Sequence, residues 1–208
     1  MLSSVNNFFA LLCIAVVLAA WLLRLLHACA VSPRLAFWLA VGGFGVLWLS
    51  AGAAHIPAVA YVRGISSDLS ITLVALACLN LFRDALPPVG EREKIPVFAA
   101  ILVAAVFLYP MALGLGDWDP YRLGWGQPAM WGGLLALVVA CWLIGLRLLP
   151  ALIALALLAW SASLLESRNL WDYLLDPWLV LVACVQLIRL ALAGLARRLP
   201  EVFKPVRS

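Results

Sequence analysis

The sequence predicts an all-α fold. It reads as a polytopic membrane helix bundle of about seven transmembrane helices, N-terminus outside and C-terminus cytoplasmic. Three observations predict it. Apolar runs of roughly 20 residues recur along the chain, long enough to cross a hydrocarbon core of ~30 Å as helices. Charged residues, 12% of the chain against 66% hydrophobic, are confined to the gaps between those runs. The basic ones favour alternate gaps, as the positive-inside rule requires. The mean hydropathy of +1.09 agrees, since soluble domains run nearer half apolar and a quarter charged. The runs do not alternate apolar with polar residues, which excludes a transmembrane β-barrel.

The expected spans are 8–28, 34–53, 69–83, 95–115, 129–148, 150–165 and 177–196. The third and sixth are short and are expected to borrow a turn from their polar flanks. The opening "MLSSVNN" has no basic residue and so lacks a secretory n-region. Arg24 sits inside the end of the first apolar run, so the first helix is expected to be retained despite the cleavage-like "HACA". Ser32-Pro33 reads as the start of the second span, and Ser67 with Asp68 as a cap for the third. "RDALPPVGEREK" reads as a turn followed by a solvated helix entry, and Pro110 predicts a kink in the fourth helix. Asp176-Pro177 has the form of an N-cap with proline at the first helical position. Asn80, Ser161 and Ser163 can hydrogen-bond between helices, while "GGFG" at 42–45 and Gly132-Gly133 allow close packing. Residues 1–196 thus form one transmembrane domain. Residues 197–208 form a basic cytoplasmic tail, expected to lie along anionic lipid headgroups.

The charges set the orientation. With the N-terminus outside, the cytoplasmic segments hold Arg24, Arg34, Arg83, Arg92, Lys94, Arg147, Arg189, Arg197, Arg198, Lys204 and Arg207, eleven of the 14 basic side chains. Only Arg63, Arg122 and Arg168 stay outside. The pI of about 9.0 therefore reflects topological anchoring rather than nucleic-acid binding. Trp48, Trp118, Trp125, Trp131, Trp160, Trp171 and Trp178 map to the outer side, which makes that face the more structured one. The five cysteines lie in or at the ends of apolar runs and read as small hydrophobes. No glycine-rich phosphate cradle or dinucleotide fingerprint occurs. With two histidines on opposite faces and no paired cysteines, no zinc site is expected. No cofactor is implied. The absence of an acid or lysine at mid-membrane argues against a proton-coupled carrier or a retinal pump.

Three outer segments collect the polar residues: "HIPAVAYVRGISSDLS", "GDWDPYRLGWG" and "LESRNLWDYLLDPW". His55, Asp117 and Glu166 are the catalytic candidates, as groups that can carry protons. Arg63, Asp68, Asp119, Tyr121, Arg122, Asn169 and Asp172 are the ligand-binding candidates. The arginines can pair with the neighbouring acids or grip a phosphate or carboxylate in a bidentate fork. The D-x-D at 117–119 can hold a hard cation only with further oxygens, and no metal site is assigned. Glu166, Asn169, Asp172 and Asp176 recur at three, three and four residues. That spacing predicts one polar face of an amphipathic extracytoplasmic helix near 166–176. The expected function is a small inner-membrane protein with a structured polar outer face, an accessory or partner-binding subunit in cell-envelope assembly. Its expected partners are the lipid bilayer, with anionic lipids at the tail, and another membrane or envelope protein. Two alternatives stand beside it. One is an outer-leaflet enzyme acting on a lipid-linked phosphate or saccharide held by Arg63 and Arg122; the other is a small-solute transporter.

Overall fold

Each apolar run folds as a helix, because a helix satisfies its own backbone polar groups and leaves the side chains free to pack or to face lipid. The computed structural model describes residues 2–52 and 54–198. Its elements are α1 (Leu2–Ala28), α2 (Pro33–Val46), β1 (Ser50–Ala51), β2 (Ile56–Pro57), α3 (Ala58–Ser66), α4 (Ile71–Leu81) and α5 (Glu91–Ala112). A 3-10 turn (Pro120–Trp125) follows, then α6 (Pro128–Leu143), α7 (Leu148–Ser161), α8 (Leu170–Leu174) and α9 (Pro177–Arg198). The strands form one antiparallel hairpin, Ser50 opposite Pro57 and Ala51 opposite Ile56. Among the described residues the fold is all-α apart from this hairpin. Residues 199–208, where the tail is expected to meet anionic lipid, lie outside the described residues.

Among the described residues three helical stretches are long and apolar enough to cross a membrane: Ser4–Ala28, Glu91–Ala112 and Pro177–Ala196. The apolar helices α2, α4, α6 and α7 are shorter. With 11 residues, α4 rises only about 17 Å. It does not borrow a turn from its flanks. Ser70 Oγ closes its start by accepting from Leu73 N at 3.2 Å, and the chain turns away after Leu81, with Ala85 N and Leu86 N bonded to Phe82 O. The second apolar run also ends early. Past Val46 the chain turns into the hairpin, where Gly52 adopts φ +64°. A Cβ there would lie 2.6 Å from the Tyr61 hydroxyl, which donates to Ala51 O at 3.0 Å. Only glycine meets both demands.

The segment 166–176 departs most from expectation. Helix forms only at Leu170–Leu174. Asn169 Oδ1 caps it by accepting from Trp171 N at 3.0 Å, and Leu175 is extended at φ −143°. Asp176 is committed to the next helix, where its Oδ1 accepts from Leu179 N at 2.8 Å. Two caps in eleven residues break the 3.6-residue period, so the four polar residues do not share a helical face.

The core runs down the middle of the bundle through Ile14 and Val17 of α1, Leu73 of α4, Ile101 and Ala105 of α5, and Leu179 and Ala183 of α9. At one end lie the starts of α1, α4 and α9 and the ends of α3 and α5; at the other lie the end of α1 and the starts of α5 and α7. The two ends differ in charge. The first carries Arg63, Asp68, Glu166, Asp172 and Asp176, and the second carries Arg24, Arg83, Lys94 and Arg189.

Helix starts at both ends are closed by acids reaching from elsewhere in the chain. Glu93 of α5 accepts from Arg147 N at 3.0 Å and Leu148 N at 2.9 Å, capping α7. The buried Asp176 closes α9 and, through Oδ2, takes Ser70 N at 2.9 Å at the start of α4. Losing a cap costs roughly 0.5–2 kcal/mol, and leaving a buried N–H unpaired about 1–3 more. Asp176→Ala is therefore expected to destabilise the detergent-solubilised protein by about 2–4 kcal/mol in thermal unfolding. Asp176→Asn, which keeps one acceptor, should lose less than half of that.

Candidate functional site

Three polar segments close over one end of the bundle around a cavity of about 990 Å³. Arg63, in the last turn of α3, is its hub. Nε donates to Asp68 Oδ1 at 2.8 Å, Nη2 donates to Glu166 Oε2 at 3.2 Å, and Nη1 donates to Asn7 Oδ1 on α1. Asp68 Oδ2 also accepts from Glu166 N at 3.4 Å. The two ion pairs are unequal. Asp68 is 17% exposed and Glu166 is 82% exposed. An exposed pair contributes about 0–1 kcal/mol, so the Arg63–Asp68 pair holds the hub and the Glu166 carboxylate remains available to solvent.

A second network fastens the 3-10 turn to the loop before α9. The Tyr121 hydroxyl donates to Asp172 Oδ2 at 2.8 Å, and Ser167 Oγ donates to the same oxygen. Asn169 Nδ2 donates to Tyr121 O at 2.9 Å, and Trp171 Nε1 donates to Pro120 O at 3.0 Å. The segments meet so closely that a Cβ on Gly124 would overlap Asn169 Oδ1 and lie 2.8 Å from Trp171 Cδ1. Tyr173, fully buried, accepts from Leu165 N at 3.1 Å and donates to Ser167 O at 3.0 Å. Burial, and after it the bond to Asp172, pushes the Tyr121 phenol up to about 12.

The expected site residues divide into two groups. Arg63, Asp68, Tyr121, Glu166 and Asp172 line the cavity together. His55, Asp117, Asp119, Arg122 and Asn169 do not. His55 is exposed in the hairpin turn at φ +50°. Asp117 and Arg122 are exposed and lie outside the cavity lining. Asp119 caps the 3-10 turn by accepting from Tyr121 N at 2.9 Å, and the buried Asn169 holds the two loops together. Sequence reasoning did not pick out Asn7, Tyr109 or Ser167. Tyr109 lines the cavity from α5, and its hydroxyl is enclosed with no hydrogen-bond partner among the described residues. No sequence spacing signals these three, since their importance comes from distant neighbours. Among the described residues no cluster of three or more histidine, cysteine or acidic groups is arranged to hold a metal ion.

Comparison with known proteins returns no match, whether to family models, to curated proteins or to solved structures. The chemistry of the site is therefore read from its geometry alone.

Four carboxylates line the cavity against one guanidinium, and that guanidinium is already paired. Asp176 spends both oxygens on backbone N–H groups. An anionic group placed here would meet net negative charge and no free cation. Gly124→Ala is expected to cost about 1–3 kcal/mol in thermal unfolding, because it forces two interlocked loops apart. For Tyr121 the raised value means that the fold favours the neutral phenol over its unfolded value of about 10. That contribution is complete below pH ~10 and is lost as pH rises through about 12. In Tyr121→Phe, alkaline absorbance titration should lack one late phenol, and stability should fall less steeply over that range.

Proposed function

We propose that the chain is a seven-span integral protein of the bacterial inner membrane, N-terminus outside, whose outer face docks another protein of the cell envelope. The observation that carries this reading is the contrast between the cavity and the exposed segment before α6. Beneath the surface the charged groups and most of the polar ones are tied to one another, the Tyr109 hydroxyl excepted. In the segment that leads into and through the 3-10 turn, Leu113, Leu115, Trp118 and Trp125 stand exposed, interspersed in sequence with the exposed Asp117, Asp119 and Arg122. Aromatic and apolar anchors within a polar border are the composition of a docking surface. The basic residues at the opposite end of the bundle support the orientation.

The alternatives draw less support. An enzyme holding a lipid-linked phosphate would need Arg63 and Arg122 over one pocket with Asp117, Glu166 or His55 beside them; Arg63 and Glu166 share the cavity, while Arg122, Asp117 and His55 lie outside its lining. A transporter needs a polar path. The two cavities share no lining residue, and along α1 the stretch of about 14 Å between their linings, Leu11 to Ala20, holds the buried apolar Ile14 and Val17.

Cys29, exposed just beyond α1, is a natural reporter of orientation. A membrane-impermeant maleimide should label Asp117→Cys in intact cells and Cys29 only after permeabilisation; the reverse pattern would overturn the orientation. Purification in mild detergent should retain a stoichiometric partner that is lost in Trp118→Ala/Arg122→Ala. A solitary monomer, under conditions that preserve other envelope complexes, would sink the docking role.

A further inference from the structure

At the end of the bundle away from the Arg63 hub, a second cavity of about 680 Å³ opens between α1, α4, α5 and α9. Four basic side chains from four different segments line it: Arg24 on α1, Arg83 in the turn after α4, Lys94 on α5 and Arg189 on α9. The acid in its wall is Asp84, which is 83% exposed and lies 3.5 Å from Arg83 Nε. Arg24, Lys94 and Arg189 form no ion pair among the described residues. Arg24 is held in place rather than neutralised. Its Nε donates to Asn80 Oδ1 at 2.9 Å, and Asn80 Nδ2 donates to Ala20 O at 3.3 Å.

His27 adds an independent sign. Its Nδ1 lies 3.3 Å from Arg83 Nη2. A guanidinium only donates, so Nδ1 accepts and the ring proton of the neutral imidazole is assigned to Nε2. That Nε2–H is enclosed and has no acceptor among the described residues, although His27 lines the cavity. A buried donor without an acceptor is costly, so its presence calls for an explanation. Deeper in, the wall is apolar, with Trp21, Leu73, Phe98 and Val182. Leu73 belongs to the first turn of α4 and Arg83 lies beyond its end, so the cavity extends about 15 Å along that helix.

We propose that this cavity binds an anionic phospholipid, its headgroup phosphate held by Arg24, Lys94 and Arg189 and an acyl chain occupying the apolar depth. Unpaired cations gathered at one mouth repel each other, and a phosphate relieves that repulsion while offering oxygens to the guanidinium forks and, once the enclosed ring turns, to the His27 donor. The apolar floor selects an amphiphile over a small soluble phosphate, which would leave that floor wet. The site uses no residue of the Arg63 cavity and does not depend on a protein partner.

The test uses the full chain in mild detergent with three probes: short-chain phosphatidylglycerol, short-chain phosphatidylcholine and inorganic phosphate. Phosphatidylglycerol should raise the melting temperature and stay bound in native mass spectrometry, while phosphatidylcholine should do neither. Arg24→Gln/Lys94→Gln/Arg189→Gln should weaken phosphatidylglycerol binding by about 100-fold, and Arg168→Gln at the other end should leave it unchanged. If the triple variant does not fold, the exposed Lys94→Gln alone should weaken binding by about 5-fold. Equal protection by inorganic phosphate would overturn the assignment to lipid. No response to any probe, or an undiminished response in a folded variant, would overturn the site itself.

Discussion

The carboxylate of Asp176 is the joint on which the polar end of the molecule hangs. One oxygen closes the start of α9 and the other closes the start of α4, so two helices remote in sequence begin at one point. In an apolar medium each open backbone N–H costs several kcal/mol, so this sharing is a strong constraint. What precedes each helix is then brought together. Arg63 and Asp68 lie just upstream of Ser70, and Ser167, Asn169 and Asp172 lie just upstream of Asp176. The hub and the lock are neighbours because both segments end at the same carboxylate.

From that joint the two ends of the bundle diverge in electrostatic character. At the acidic end hydrogen bonds consume most of the polar capacity, and what remains open is the Glu166 carboxylate and the enclosed Tyr109 hydroxyl. At the basic end the cations stand largely unpaired, and one histidine donor goes unanswered. A network satisfied within the chain is suited to presenting a rigid surface, whereas an unsatisfied one asks for an ion from outside. The molecule thus separates a display face from a receiving pocket.

The positions of the long helices were legible because an apolar run of membrane length has few other fates. Their ends were less so. The second run breaks at the hairpin because the Tyr61 hydroxyl, nine residues beyond Gly52, occupies the space a side chain would need, and composition carries no sign of that. In 166–176 the periodicity was present but misleading: Asn169 resembles a helical surface residue until its side chain is seen to cap, whereas Asp176 before Pro177 already had the form of the N-cap it proves to be. At the site, Arg63 with Asp68 was readable because the partners are five residues apart. Asn7 and Ser167 were not, since each becomes important only where α3 meets the start of α1 or where the 3-10 turn meets α8. The exposed residues His55, Asp117 and Arg122 drew attention by residue type alone, and type does not say whether a group points into a cavity or away from it.

The brevity of α4 has a consequence for the protein's relation to its solvent. In the seven-span arrangement proposed above its two ends would fall short of a hydrocarbon core of about 30 Å, so irregular backbone would lie at a depth that lipid cannot solvate. The basic cavity runs beside this helix from Arg83 back to Leu73, while Asp68, just before its start, lines the acidic cavity. Along α4 the two linings are therefore separated by little more than one helical turn, far less than the thickness of a bilayer. In that arrangement a membrane potential would fall over a short stretch beside the start of α4 rather than evenly across the bundle.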